Sequence, residues 1–176
     1  PAEDRFRVIF CGQITQRKGI SYLVEGFKRA GLPNAELLFV GMLIGGPHPW
    51  LGEPNIRHVG PLTRHQLPEV LRSGHVGVLP SLIEGYGATV VEGMACGLPA
   101  IVTPNTLADD VVEHDVDGWV VPIRDPDAIA AKLTLLYEDR ELQRRMAKAA
   151  RAKAEQYPWS RYGEALRSGI GRILSG

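Results

Sequence analysis

With 176 residues, 44% of them apolar, the chain has material for one domain with a sizeable core, and twenty basic residues cancel twenty acidic ones. That balance leaves no net field to draw the protein to nucleic acid or to an anionic membrane surface, so any anion site has to be built locally. No apolar run approaches the roughly 18 residues of a membrane span and no charged-then-apolar leader opens the chain, so a cytoplasmic protein without a transmembrane segment is expected.

The chain opens at Pro1, with strand-like residues a few positions later, as expected of a piece cut from a longer protein. "RFRVIFCG" is a short β run ending in Gly12, and "ISYLVEGFKRA" then sets Leu23, Phe27 and Ala30 at helical spacing. "AELLFVG" and "NIRHVG" are two further strands. "TRHQLPEVLRS" predicts a helix opened by a Thr63/Gln66 capping box, with Pro68 tolerable only in its first turn. "HVGVLPS" is a buried strand, "ATVVEGMAC" a helix closed by Gly97, and "PAIVT" the next strand. Asp117-Gly118 marks a turn before the strand "WVVP". Asp125-Pro126 caps and opens a helix to about Glu138, Asp139 starts another through about Ala154, and Ser160 caps a last one weakened by Gly163, Gly169 and Gly171.

Strands rich in Val, Ile and Leu alternating with amphipathic helices predict an α/β fold, a doubly wound parallel sheet of about six strands forming one compact unit over residues 1–176. In such sheets ligands sit beyond the carboxyl ends of the strands, so the residues just after each β run carry the functional information. After the first strand comes "GQITQRKG", in which Gly12 permits close backbone approach and Lys18 supplies a mobile point charge before a helix, a loop suited to a phosphate. It is not a Walker loop, because Gly19 follows Lys18.

After the fourth strand, "PSLIEGYGATVVE" frees the backbone at Gly85 and Gly87 and leads into a helix N-terminus whose unpaired N–H groups suit an anion. The nicotinamide fingerprint fits poorly, since the third glycine is missing and the segment does not follow the first strand. Two carboxylates flank this element: Glu84 in the loop and Glu92 about one helical turn inside. An ionised carboxylate close to a phosphate would be repelled by several kcal/mol in a partly desolvated cleft, so these groups should face hydroxyls. A phosphate between two hydroxyl-bearing groups describes a nucleotide sugar. Cys11 and Cys96, in apolar contexts without metal-ligand spacing, suit buried thiols, and His48, His58, His65, His75 and His114 show no metal-like grouping.

"PSLIEGYGATVVEGMACGLPAIVT" closely resembles the E-x7-E signature of the retaining GT-B glycosyltransferases in the large group that includes mannosyltransferases and sucrose synthases. "CGQITQRKGISYLVEGF" resembles the same family's glycine, basic, lysine-glycine loop, and "DGWVVPIRDPDAIA" its later strand and helix. The resemblance implies a Rossmann-like C-terminal half of a GT-B fold that binds a nucleoside-diphosphate hexose. The N-terminal acceptor domain would lie outside this chain, and any membrane contact would run through it. The resemblance implies no metal or other cofactor, and a fragment that binds donor but does not transfer sugar.

The family's roles fall on this chain as follows. Glu92 would bind ribose hydroxyls, Glu84 the transferred sugar, and the backbone from Gly85 through Tyr86 and Gly87 to Ala88 the diphosphate, with Gly12 close by. Lys18 would neutralise the leaving phosphate, which makes Lys18 and Glu84 the catalytic candidates, while Val59 and Gly60 are candidate base contacts. Gln13 stands where the family usually has arginine, so either Arg17 supplies the cation or the site relies on Lys18 and amide dipoles. "TPNTLADDVVE" departs from the family's glycine pair, which leaves Asn105 and Thr106 without a transferred role. A non-catalytic nucleotide-binding or interaction module and a GT-B sugar epimerase are the alternative readings.

Overall fold

The computed structural model describes residues 5–46, 48–85, 87–105 and 111–158, together with Arg167 and Ile170. Six strands form one sheet: β1 (Phe6–Cys11), β2 (Ala35–Val40), β3 (Ile56–Gly60), β4 (Val76–Leu79), β5 (Ala100–Val102) and β6 (Gly118–Val120). They are parallel throughout, in the order β3-β2-β1-β4-β5-β6. The strand order reverses between β1 and β4, and the crevice above such a switch point is where open α/β sheets hold ligands. Among the described residues the helices are α1 (Ile20–Ala30), α2 (Leu67–Arg72), α3 (Ala88–Ala95), α4 (Pro126–Glu138) and α5 (Arg140–Ala154), none of them long and apolar enough to cross a membrane.

Alternation along the strands sorts the core into two faces. Val8 and Phe10 of β1 and Leu37 and Phe39 of β2 pack with Leu23 and Phe27 of α1 and Ile129 and Leu133 of α4. Ile9, Leu38 and Val40 point to the other face, where Leu71 of α2 and Leu98 cover them. α1 and α4 lie close together because Gly26 has no side chain: a Cβ there would stand 2.8 Å from the Pro126 carbonyl oxygen and 2.9 Å from the Ile129 side chain.

The helix boundaries follow local chemistry. The Asp125 carboxylate accepts the Ala128 N–H at 2.9 Å and the Asp139 carboxylate accepts the Leu142 N–H at 2.7 Å, each satisfying an N–H that has no partner within its helix. Gly97, at φ 83, donates its N–H to the Met94 carbonyl and ends α3 as expected. α2 is shorter than expected. Thr63 and Gln66 do bond reciprocally, with Thr63 N–H donating to Gln66 Oε1 at 3.1 Å and Gln66 N–H to Thr63 Oγ1 at 3.4 Å. They close a turn, however, and the helix begins only at Leu67, with Pro68 in its first turn. The expected helix after Ser160 lies outside the described residues.

α5 runs past the amino ends of the strands, at the pole opposite the switch point. Its Gln143 amide donates to the His75 carbonyl at 2.9 Å, and Arg140 lies 5.3 Å over the Phe6 ring. His75 itself is 1% exposed, stacks on Phe6 and accepts the Arg7 N–H at Nδ1, which fixes the neutral tautomer with the proton on Nε2. Burial, reinforced by the charges of Arg140 and Arg7, pushes this imidazole down to about 3. The folded state thus refuses a proton that the unfolded chain takes up near pH 6.5. The stabilisation is complete above that value and is lost as pH falls from about 6.5 towards 3, at up to about 1.4 kcal/mol per pH unit. Glu92 and Asp117, whose carboxyls burial pushes up, contribute with the opposite sign. Comparison with His75→Asn, which keeps an acceptor for Arg7 but cannot titrate there, isolates the effect. Denaturant titrations at pH 7, 6 and 5 are expected to show a steeper loss in wild type than in the variant.

Candidate functional site

Above the carboxyl end of β1 the chain leaves the sheet without losing its partners. Gly12 N–H donates to the Val40 carbonyl at 2.9 Å and Ile14 N–H to the Met42 carbonyl at 2.8 Å, while Ile14 is fully buried. Gln13 between them is exposed. A 3-10 turn over Gln16–Lys18 then brings the chain back, and Gly19, at φ 73, caps it and opens α1. Gly19 is required twice over: its backbone is left-handed, and a Cβ would overlap the Pro80 carbonyl oxygen and stand 2.8 Å from the carbonyl carbon. The loop after β1 and the loop after β4 therefore touch backbone to backbone.

That contact brings together the two catalytic candidates. Lys18 Nζ forms an ion pair with Glu84 Oε2, with only 11% and 12% of the two side chains exposed. Burial, and then the neighbouring Arg17 charge, lowers the Lys18 pKa from its ordinary value. Lys18 is therefore not the mobile point charge suggested by the loop's composition but a buried cation held by a carboxylate. Glu84 Oε1 accepts the Gly85 N–H at 3.1 Å and lies 3.9 Å from Arg17 Nη1, which donates to the Ile83 carbonyl at 2.8 Å. Gly87, at φ 69, then serves as the N-cap of α3, and the helix N-terminus with its Ala88 amide opens beside the pair.

Glu92 lies one turn further along α3, half-buried. Burial raises its carboxyl pKa and Arg64, from the loop after β3, opposes the shift. The Cys11 thiol at the end of β1 is pushed up to about 11 by burial and then by the Glu92 charge, which sets Glu92 beside the first strand's end. Both cysteines are free and half-buried. At the end of β3, Val59 packs on the second core face, and Gly60, at φ 85, accepts the Gly41 N–H at 2.9 Å.

Residues 1–153 match the model of the glycosyl transferases group 1 family, and the match includes both loops and α3. The chain belongs to that family. Sulfoquinovosyl transferase of Arabidopsis thaliana is 30% identical over 161 residues, which cover 86% of this chain and 30% of that protein. An Anabaena HepE structure with UDP and glucose superposes with a TM-score of 0.85 at 20% identity, covering 96% of this chain and 49% of the other. The C-terminal domain of a Francisella tularensis group 1 glycosyl transferase gives a TM-score of 0.76 at 20% identity and is covered to 85%, against 86% of this chain. This group 1 glycosyltransferase chain is thus a Rossmann-like α/β unit that matches C-terminal GT-B domains, and it spans between 30% and 44% of the length of the first curated relatives it matches.

In this group 1 chain the site candidates do not all converge. Arg17, Lys18, Glu84, Gly85, Gly87 and Ala88 gather where the loops after β1 and β4 meet, with Gly12 at the root of the first loop. Glu92 stands one turn behind, whereas Val59 and Gly60 belong to the far side of β2 in the strand order. Tyr86 and Thr106 lie outside the described residues. Arg64 beside Glu92 was not among the expected site residues. Its only sequence signal is a cation in a loop at a strand's carboxyl end.

Proposed function

We propose that this chain is the donor-binding half of a retaining glycosyltransferase, taking a hexose from a nucleoside-diphosphate sugar to an acceptor hydroxyl. The acceptor-binding domain belongs to the rest of the protein. The observation that carries the reading is the buried Lys18–Glu84 pair beside the N-terminus of α3. A diphosphate entering there draws Lys18 and the free helix amides to itself, and Glu84 exchanges its lysine for sugar hydroxyls. Each charge thereby keeps a partner in a desolvated place, where an unpaired one would cost several kcal/mol. Glu92, one turn along the helix, takes the ribose hydroxyls.

In the transfer step the acceptor oxygen attacks the anomeric carbon on the face that the diphosphate vacates, and the departing phosphate oxygen takes the acceptor's proton. Configuration is retained. Lys18 and the α3 amides stabilise the charge that grows on the leaving group, a preorganised electrostatic role. The HepE structure, which shares the fold, contains UDP and glucose, in keeping with this reading. Because the acceptor lies on the other domain and positioning accounts for roughly 7–11 kcal/mol of such barriers, the chain alone binds donor without transferring sugar.

Calorimetry of the chain against UDP, GDP, ADP and their glucose or mannose derivatives tests the proposal, with one diphosphate family expected to bind and to do so equally well in EDTA. Glu92→Ala is expected to weaken that binding by about 1–3 kcal/mol, the worth of charge-assisted hydrogen bonds to two hydroxyls. Unchanged affinity would reject the ribose role.

A further inference from the structure

The loop that carries Glu84 has no regular secondary structure, yet three successive carbonyls in it are each taken by a side chain from a neighbouring loop. Ser81 O accepts Thr103 Oγ1 at 2.6 Å, Leu82 O accepts Asn105 Nδ2 at 2.7 Å, and Ile83 O accepts Arg17 Nη1 at 2.8 Å. The Arg17 carbonyl in turn accepts the Leu82 N–H at 2.9 Å. Thr103 and Asn105 come from the end of β5 and Arg17 from the loop after β1, so the Glu84 segment is gripped from both sides of β4.

We propose that Arg17 and Asn105 are positioning residues that clamp this segment and so set the Glu84 carboxylate for the transferred sugar; the proposal rests on the donor reading above. Asn105 is exposed and the Arg17 side chain is 47% exposed. Immobilising such side chains costs rotamer entropy, and neither fills the core in return. What they do is fix the backbone on either side of Leu82 and Ile83, one and two residues before Glu84. Lys18 then completes the geometry by holding Oε2. Arg17 also has its guanidinium committed to the Ile83 carbonyl, with Glu84 Oε1 at 3.9 Å beyond it. It is a clasp between loops and does not replace the arginine whose place Gln13 occupies. Asn105 thereby receives a role that its departure from the family's pattern left open.

Two measurements on Arg17→Ala and Asn105→Ala test the clamp. In the ligand-free chain, amide hydrogen exchange of residues 82–85 should accelerate by roughly tenfold or more in each variant, with exchange in β1 and α1 unaltered, since only local opening changes. In binding, with UDP and UDP-glucose as probes, or GDP with GDP-mannose and ADP with ADP-glucose if wild type prefers those, the sugar nucleotide should lose about five- to thirtyfold more affinity than the bare diphosphate. Unaltered exchange in either variant overturns the clamp. Equal losses of diphosphate and sugar nucleotide in Arg17→Ala would mean that Arg17 binds phosphate directly, and would overturn it as well. If wild type binds none of the probes the donor reading fails, while the exchange result still decides whether the clamp exists.

Discussion

Lys18→Ala is expected to weaken binding of the diphosphate that the chain selects by about 2–3 kcal/mol, near the upper worth of hydrogen bonds to charged groups, while affinity for the bare nucleoside changes little. UDP, uridine and UDP-glucose are the probes, replaced by GDP or ADP with their nucleosides and sugars if one of those is preferred. Only the diphosphate presents charge to the position that Lys18 occupies. The pair with Glu84 tempers the effect, because the lysine that meets the diphosphate must first leave a carboxylate in a site where both side chains are nearly buried. Glu84→Gln should accordingly leave bare UDP as tight or tighter, by freeing Lys18, and should penalise UDP-glucose, whose hydroxyls lose an ionised acceptor. Isothermal titration of both variants with uridine, UDP and UDP-glucose separates these terms. Equal losses for uridine and UDP in Lys18→Ala would show that the lysine supports the loop instead.

Gly19→Ala is the second large effect. The backbone there is left-handed, at φ 73, and the added Cβ would collide with the Pro80 carbonyl, which belongs to backbone and cannot rotate away. Strain at such a dihedral and overpacking each cost about 1–3 kcal/mol, so a destabilisation of about 2–5 kcal/mol is expected. For a domain of this size each kcal/mol lowers the melting temperature by about 2–4 °C. Gly31→Ala is the matched control: it too sits at positive φ, 57, but its Cβ would meet only the Arg29 carbonyl oxygen at 3.9 Å. It should lose about 1–2 kcal/mol, the left-handed penalty alone. Thermal melts of the two variants compare strain with strain plus collision. UDP affinity should fall in Gly19→Ala only, because only that change forces apart the loops bearing Lys18 and Glu84.

The strands and the long helices were legible in the sequence because their determinants act within a few residues. Val8 and Phe10 face one side of the sheet and Ile9 the other because side chains along a strand alternate with a period of two, and the Asp125 and Asp139 carboxylates reach amides three residues ahead. The helix α2, its Thr63–Gln66 exchange and Pro68 in its first turn were legible too, and only its starting residue was not. The Thr63–Gln66 exchange that resembles a helix start is equally satisfied by a turn, and the difference lies in how the segment meets the sheet.

By itself the sequence determined the α/β alternation, the glycines that permit left-handed backbone, and the placing of Lys18, Glu84 and Glu92 beside strand ends, since each depends on local dihedrals, periodicity or caps. The tertiary structure alone decided that Lys18 is buried against Glu84, that Arg17 binds the Ile83 carbonyl across 66 positions, and that Asn105 holds Leu82 from the other side. Those contacts arise because parallel strands far apart in the chain are laid side by side, β1 next to β4 and β4 next to β5. Their carboxyl-end loops then have to satisfy one another's polar groups in a place that water only partly reaches.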